Sequence, residues 1–102
     1  MIKLIALYKQ PENLKEFDDH YFGTHGPITA SIPGLQKMTV TKMTGSPMGG
    51  EAAYYLMCEM VYESHESFKM AMKTDEARAS GKDLMSFAGD LVTLMIGEEV
   101  HG

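Results

Sequence analysis

The apolar pattern of the chain predicts an α+β fold. Its elements run β-α-β-β-α-β, the split βαβ order of ferredoxin-like folds, with a four-stranded antiparallel sheet and helices on one face. Three observations predict it. Residues 2–9, 35–44, 53–63 and 91–100 carry the period-two or continuously apolar runs of strands. The stretches after the first and third of these repeat their apolar residues at helical spacing. Turn-forming Pro33-Gly34 and the segment Gly45 to Gly50 separate the pieces. With 102 residues, the whole of 1–102 is expected to form one domain.

In the first strand Ile2, Leu4, Ala6 and Tyr8 point one way, Ile5 and Leu7 the other. Asn13, three residues before Glu16, has the spacing of a capping box and opens a helix that turns Leu14, Phe17 and Tyr21 inward. With Leu14 at zero and about 100° per residue, Phe17, Tyr21 and His25 fall near 300°, 340° and 20°, so His25 shares the buried stripe. The residue before a proline avoids the α region, so the helix is expected to stop at Gly26-Pro27, with one more turn over Ile28 to Ile32. Thr39, Val40 and Thr41 mark the second strand. In the third, Tyr54, Leu56, Cys58, Met60 and Tyr62 share a face, opposite Tyr55, Met57 and Val61. Ser64 or His65 then starts a helix bearing Phe68, Ala71 and Met72. Two short helical pieces follow, Glu76 to Ala79 and Lys82 to Ala88, interrupted at Ser80-Gly81. Val92, Leu94 and Ile96 face one way in the last strand, Leu91 and Met95 the other.

Strands with one solvated face alternate between apolar and polar residues. Here strands one, three and four are apolar on both faces, and two helices cover only one. Pairing two sheets face to face removes the exposed patch, so a homodimer is expected.

Composition narrows the function. The chain is 44% hydrophobic and 23% charged, with a net charge of -5 and scattered lysines, which argues against a nucleic-acid partner. No run of about 18 apolar residues offers a membrane span, and the N-terminal residues lack a signal-peptide pattern. The lone Cys58 fits a reducing cytoplasm and reads as a small buried hydrophobe. Ten methionines suit gap-filling in a core or the walls of an adaptable apolar pocket.

His25 is the candidate catalytic residue. It lies one turn beyond Tyr21, and burial and the helix end act on its charge in opposite senses, the setting of an acid-base group. From spacing alone, a cap on the helix carbonyls is slightly the better reading. His20 projects about 140° from His25, too far round to share a metal, and no zinc-like spacing occurs, so no metal site or permanent cofactor is expected. His65 and His101 are expected in solvent, and Asp18 and Asp19 as exposed carboxylates. Asp83 reads as a cap of the last short helix; folded over a pocket mouth, that helix would set Asp83 and Phe87 at its entrance. Tyr8 and Tyr21 are candidates to line the pocket and orient a ligand.

The runs Tyr8-Lys9-Gln10-Pro11, Phe17-Asp18-Asp19-His20-Tyr21, His25-Gly26-Pro27-Ile28 and Ile32-Pro33-Gly34-Leu35 resemble the EthD family. So do Asp75-Glu76-Ala77 and Asp83-Leu84-Met85-Ser86-Phe87-Ala88. The resemblance implies a dimeric α+β barrel. Relatives in that superfamily include cofactor-independent monooxygenases, muconolactone isomerases, polyketide cyclases and haem-handling enzymes. It also implies His25 as the catalytic residue, in a pocket between sheet and helices. The expected function is an oxidoreductase-like, dehydratase or isomerase activity on a small apolar organic compound. The alternatives are a non-catalytic carrier serving a partner oxygenase, and a haem-binding protein.

Overall fold

The computed structural model describes residues 1–100, and His101 lies outside them. The elements are β1 (Ile2–Tyr8), α1 (Leu14–His20), a π-helical turn (Tyr21–His25), α2 (Gly26–Ala30), β2 (Lys37–Lys42), β3 (Leu56–Tyr62), α3 (His65–Met72), α4 (Asp75–Ala88) and β4 (Val92–Glu98). The four strands form one sheet in the order β2-β3-β1-β4, with every neighbouring pair antiparallel. This is the expected ferredoxin-like α+β arrangement, with strand ends trimmed by one to three residues.

Register determines which side chains share a face. Leu4 pairs with Met60 and Ile96, and Ala6 with Cys58 and Leu94, so these residues line the helix side. There Ile2, Ala6, Tyr8, Leu56, Cys58, Met60 and Tyr62 are buried. Phe17 and Tyr21 supply the helical half of the core and meet Tyr8 edge-on, at 5.4 and 5.5 Å between ring centroids. The opposite face carries Ile5, Leu7, Met57 and Val61, half-exposed, and the exposed Met95. Tyr55 departs from the expected alternation. It precedes β3, is buried, and packs edge-on against Phe17 at 5.8 Å.

Caps act where the sequence puts them. The Asn13 side chain accepts from the Glu16 amide, Ser64 from Ser67 and Thr74 from Ala77. Two helix boundaries differ from expectation. Ser80-Gly81 does not interrupt α4, because one exposed glycine costs a helix only about 1 kcal/mol, less than the flanking packing of Leu84 and Ala88 returns. Asp83 is therefore mid-helix and caps nothing. Nor does the first helix stop at Gly26-Pro27: Gly26 keeps helical angles (φ -55°, ψ -51°) and its amide donates to the Tyr21 carbonyl, five residues back. A proline in an α turn strikes the carbonyl four residues earlier; the wider π turn relieves that clash, so the chain stays helical into α2.

Candidate active site

The π turn places the two histidines. At α-helical pitch His20 and His25 diverge, but five residues make roughly one turn of a π-helix, so both rings emerge on one face. That face meets α4 at Asp83. Nε2 of His20 lies 2.9 and 3.0 Å from the two Asp83 carboxylate oxygens, and Nδ1 of His25 lies 2.9 Å from Oδ2. The expected separation of His20 from His25 is thus corrected, and the reason is the change of helical pitch. A helix-capping role for His25 also falls, since it sits inside a continuing helical run and its ring nitrogens meet side chains.

A carboxylate accepts and does not donate, so Asp83 holds a proton on His25 Nδ1 and leaves Nε2 as the lone-pair nitrogen. Nε2 lies 3.3 Å from the Thr29 hydroxyl, one turn further along, and that hydroxyl lies 2.7 Å from Ser80 on α4. The chain of contacts is His20, Asp83, His25, Thr29, Ser80. His25 is only 5% exposed, while the His20 side chain is 34% exposed. Burial pushes the His25 imidazole below its usual value near 6.5; the Asp83 hydrogen bond and charge oppose that, and His20 adds to it. His25 is accordingly a neutral base at neutral pH. Burial also raises the Tyr8 and Tyr21 phenols, which stay protonated, and the Cys58 thiol, which a hydrogen bond from Tyr21 only partly offsets.

Two spaces flank this chain. A cavity of about 140 Å³ lies between sheet and helices, walled by Leu4, Ala6, Ile32, Cys58, Met60, Met72, Leu84 and Leu94. Its polar groups are those of Tyr8, His25, Thr29 and Ser80. A wider open cleft of about 640 Å³ lies where the start of α1 faces the end of α4, lined by Phe17, His20, Phe87 and the carboxylates of Glu12, Glu16 and Asp90. Asp83 stands between the two, bonded to the histidine of each.

Of the expected pocket residues, Tyr8 lines the cavity with His25. Tyr21, Asp83 and Phe87 do not: Tyr21 is core, Asp83 backs the histidines, and Phe87 packs against His20 and His25 at 4.4 and 5.1 Å on the cleft side. Thr29, Ser80 and His20 were missed. Thr29 was readable as the residue four beyond His25; Ser80 and His20 depend on packing between helices. Asp18, expected as an exposed carboxylate, is half-buried and accepts from Tyr55 Oη at 2.8 Å and Lys42 Nζ at 3.0 Å. Asp19 is exposed, paired with Lys15, and His65 is exposed at the start of α3.

Among the described residues no group of three or more His, Cys, Asp or Glu side chains is placed to hold a metal ion. The His25 cavity does not fit haem, because at about 140 Å³ it is well below the roughly 300–1,000 Å³ of drug-sized ligand sites. No helix among the described residues is long and apolar enough to cross a membrane.

Comparison with known proteins assigns the family. The model of the EthD domain matches residues 9–90. A solved EthD family protein from Bacillus halodurans is 64% identical, covering 98% of this chain and 99% of its own, with a TM-score of 0.94. An uncharacterized 11.0 kDa protein of the thcB-thcC intergenic region in Rhodococcus erythropolis is 25% identical over 99 residues, 97% of this chain and 95% of its own. More distant structures share the fold. One is a dimeric ferredoxin-like protein from Thermobifida fusca (15% identity, 96% and 90% coverage, TM-score 0.70). Another is SnoaB, a cofactor-independent oxygenase from Streptomyces nogalater (14% identity, 94% and 87% coverage, TM-score 0.63). On the match over residues 9–90 and the 64% identity of its solved relative, this chain belongs to the EthD family.

Proposed function

We propose that the protein is an acid-base enzyme acting on a small, largely apolar organic molecule, with His25 as the catalytic residue and no permanent cofactor. One observation carries this reading. His25 lines an apolar cavity while Asp83 holds its Nδ1, leaving Nε2 as the basic nitrogen, 3.3 Å from the Thr29 hydroxyl.

In this reaction His25 Nε2 takes a proton from a substrate O–H or C–H group. The imidazolium that forms keeps its Nδ1–H on Asp83, whose negative charge stabilises it. Return of that proton to a different atom of the substrate completes an isomerisation, and loss of hydroxide from the anion completes a dehydration. Attack of dioxygen on the anion gives an oxygenation, the class named for the distantly similar SnoaB. His20 supports the carboxylate from the solvent side.

The functional unit is a homodimer. Ile5, Leu7, Met57, Val61 and Met95 make the sheet face that the helices leave open largely apolar around the Lys3–Glu59 ion pair, and a second copy of that face is its natural cover. The distantly similar Thermobifida fusca protein is described as dimeric. Cytoplasmic residence accords with the single buried thiol of Cys58.

The test is turnover of a substrate found by incubating the protein with a panel of small phenols, enols and hydroxy-ketones and following conversion by mass spectrometry. His25→Ala is expected to lower turnover by about 10²–10⁴-fold with the fold intact. Unchanged turnover in that variant ends the catalytic assignment. Retention of a ligand that is never converted identifies a carrier instead.

A further inference from the structure

We infer that the ligand of the His25 cavity is a neutral molecule of about benzene size carrying a single hydroxyl group, phenol being the simplest case. The inference rests on the cavity being the substrate site proposed above, and goes further in fixing size, charge and polar pattern.

Size comes first. The cavity holds about 140 Å³, and an engineered protein cavity of about 150 Å³ lined by Leu, Ile and Phe takes up benzene. One six-membered ring is the natural filling of that volume.

The walls decide the rest of the ligand. Leu4, Ile32, Met60 and Leu84 offer apolar contact only; Tyr8 and Cys58 also border the space, and the Cys58 thiol is tied to the Tyr21 hydroxyl. Apart from Tyr8, the polar side chains of the lining are the mutually bonded His25, Thr29 and Ser80. His25 Nε2 is an acceptor, because Asp83 holds the proton on the other nitrogen. Thr29 and Ser80, 2.7 Å apart, bring two O–H groups, and the bond between them consumes one. With Ser80 as the donor in that bond, the Thr29 O–H is left for Nε2 at 3.3 Å or for a ligand oxygen; with Thr29 as the donor, the Ser80 O–H is left for a ligand oxygen and Nε2 is open to a donor. A ligand hydroxyl answers both groups at once, donating to Nε2 and accepting the spare O–H. A hydrocarbon answers neither, and a carbonyl only the second.

Charge excludes anions. No lysine or arginine lines the cavity, and the carboxylate of Asp83 stands directly behind His25. A carboxylate ligand would be desolvated there without a cation.

The test is an amide NMR titration of the full chain, above neutral pH, with phenol, toluene, benzoate and 1-naphthol. Phenol is expected to shift the amides of Thr29, Ser80 and Cys58 and to bind about tenfold more tightly than toluene, the yield of one good hydrogen-bonded match. Benzoate and 1-naphthol are expected to leave those amides unmoved. Ser80→Ala, which keeps the helix, is expected to narrow the preference for phenol over toluene, and Leu84→Ala to admit 1-naphthol. Toluene binding as tightly as phenol overturns the hydroxyl requirement. Benzoate or 1-naphthol binding the unmodified protein better than phenol overturns the charge or the size assignment. These outcomes are separate from the catalytic reading, which falls if His25→Ala leaves turnover unchanged even where phenol binds as expected.

Discussion

His25 and Asp83 lie 58 positions apart in sequence, yet Nδ1 of one rests 2.9 Å from a carboxylate oxygen of the other. The pair joins a buried base to a carboxylate that also holds the more exposed His20. Its most direct consequence is for the charge of His25. Burial lowers the affinity of the ring for a proton, and Asp83 restores part of it.

Asp83→Asn is therefore expected to move the His25 pKa further down and to lower turnover by about 10²–10⁴-fold, because the amide neither stabilises the imidazolium nor enforces the Nδ1–H tautomer. His20→Ala is expected to move the pKa the opposite way, since the neighbouring imidazole now adds to its depression. Ring-proton NMR titration of the two variants reads both directions. Shifts of the same sign would contradict the arrangement.

The same linkage governs stability. A histidine with a depressed folded pKa binds fewer protons folded than unfolded, so stability rises with pH in that window. The contribution of His25 is fully present above its unfolded value near 6.5 and is lost as pH falls toward and through the lower folded value. Urea midpoints from neutral pH downward are expected to fall more steeply in the native chain than in His25→Gln.

Tyr62 offers a prediction independent of the site. It is fully buried and packs edge-on against Phe68 at 5.3 Å, but its hydroxyl has no hydrogen-bond partner among the described residues. A buried polar group left unpaired costs about 1–3 kcal/mol. Tyr62→Phe keeps the ring and removes that cost, so thermal unfolding is expected to shift upward by several degrees. A lower midpoint would show that the hydroxyl is satisfied.

The open sheet face predicts the assembly. Met57→Glu places a charge among Ile5, Leu7 and Val61 without touching the helix-side core. Sedimentation at micromolar concentration is expected to give a dimer for the native chain and a monomer for the variant. A native monomer would remove the pairing of sheet faces.

Strand and helix order, the capped starts at Asn13 and Thr74, and the inward course of Phe17, Tyr21 and His25 are set by periodicity and local hydrogen bonding, which act over a few residues. What periodicity could not supply was a change in the period itself. Between Tyr21 and His25 the helix widens, and that rotates His20 onto the same carboxylate as His25. Gly81 misled for a related reason: helix packing outweighs the modest intrinsic cost of one glycine, so α4 runs unbroken and carries Ser80 and Asp83 on a single rigid element.

The burial of His25 beside Tyr21 was legible from the sequence alone, as was the α+β order of elements. Only the tertiary structure decided its partners. Asp83 reaches His25, and Ser80 reaches Thr29, because α4 packs against the π turn and α2, contacts between distant segments that no local pattern encodes.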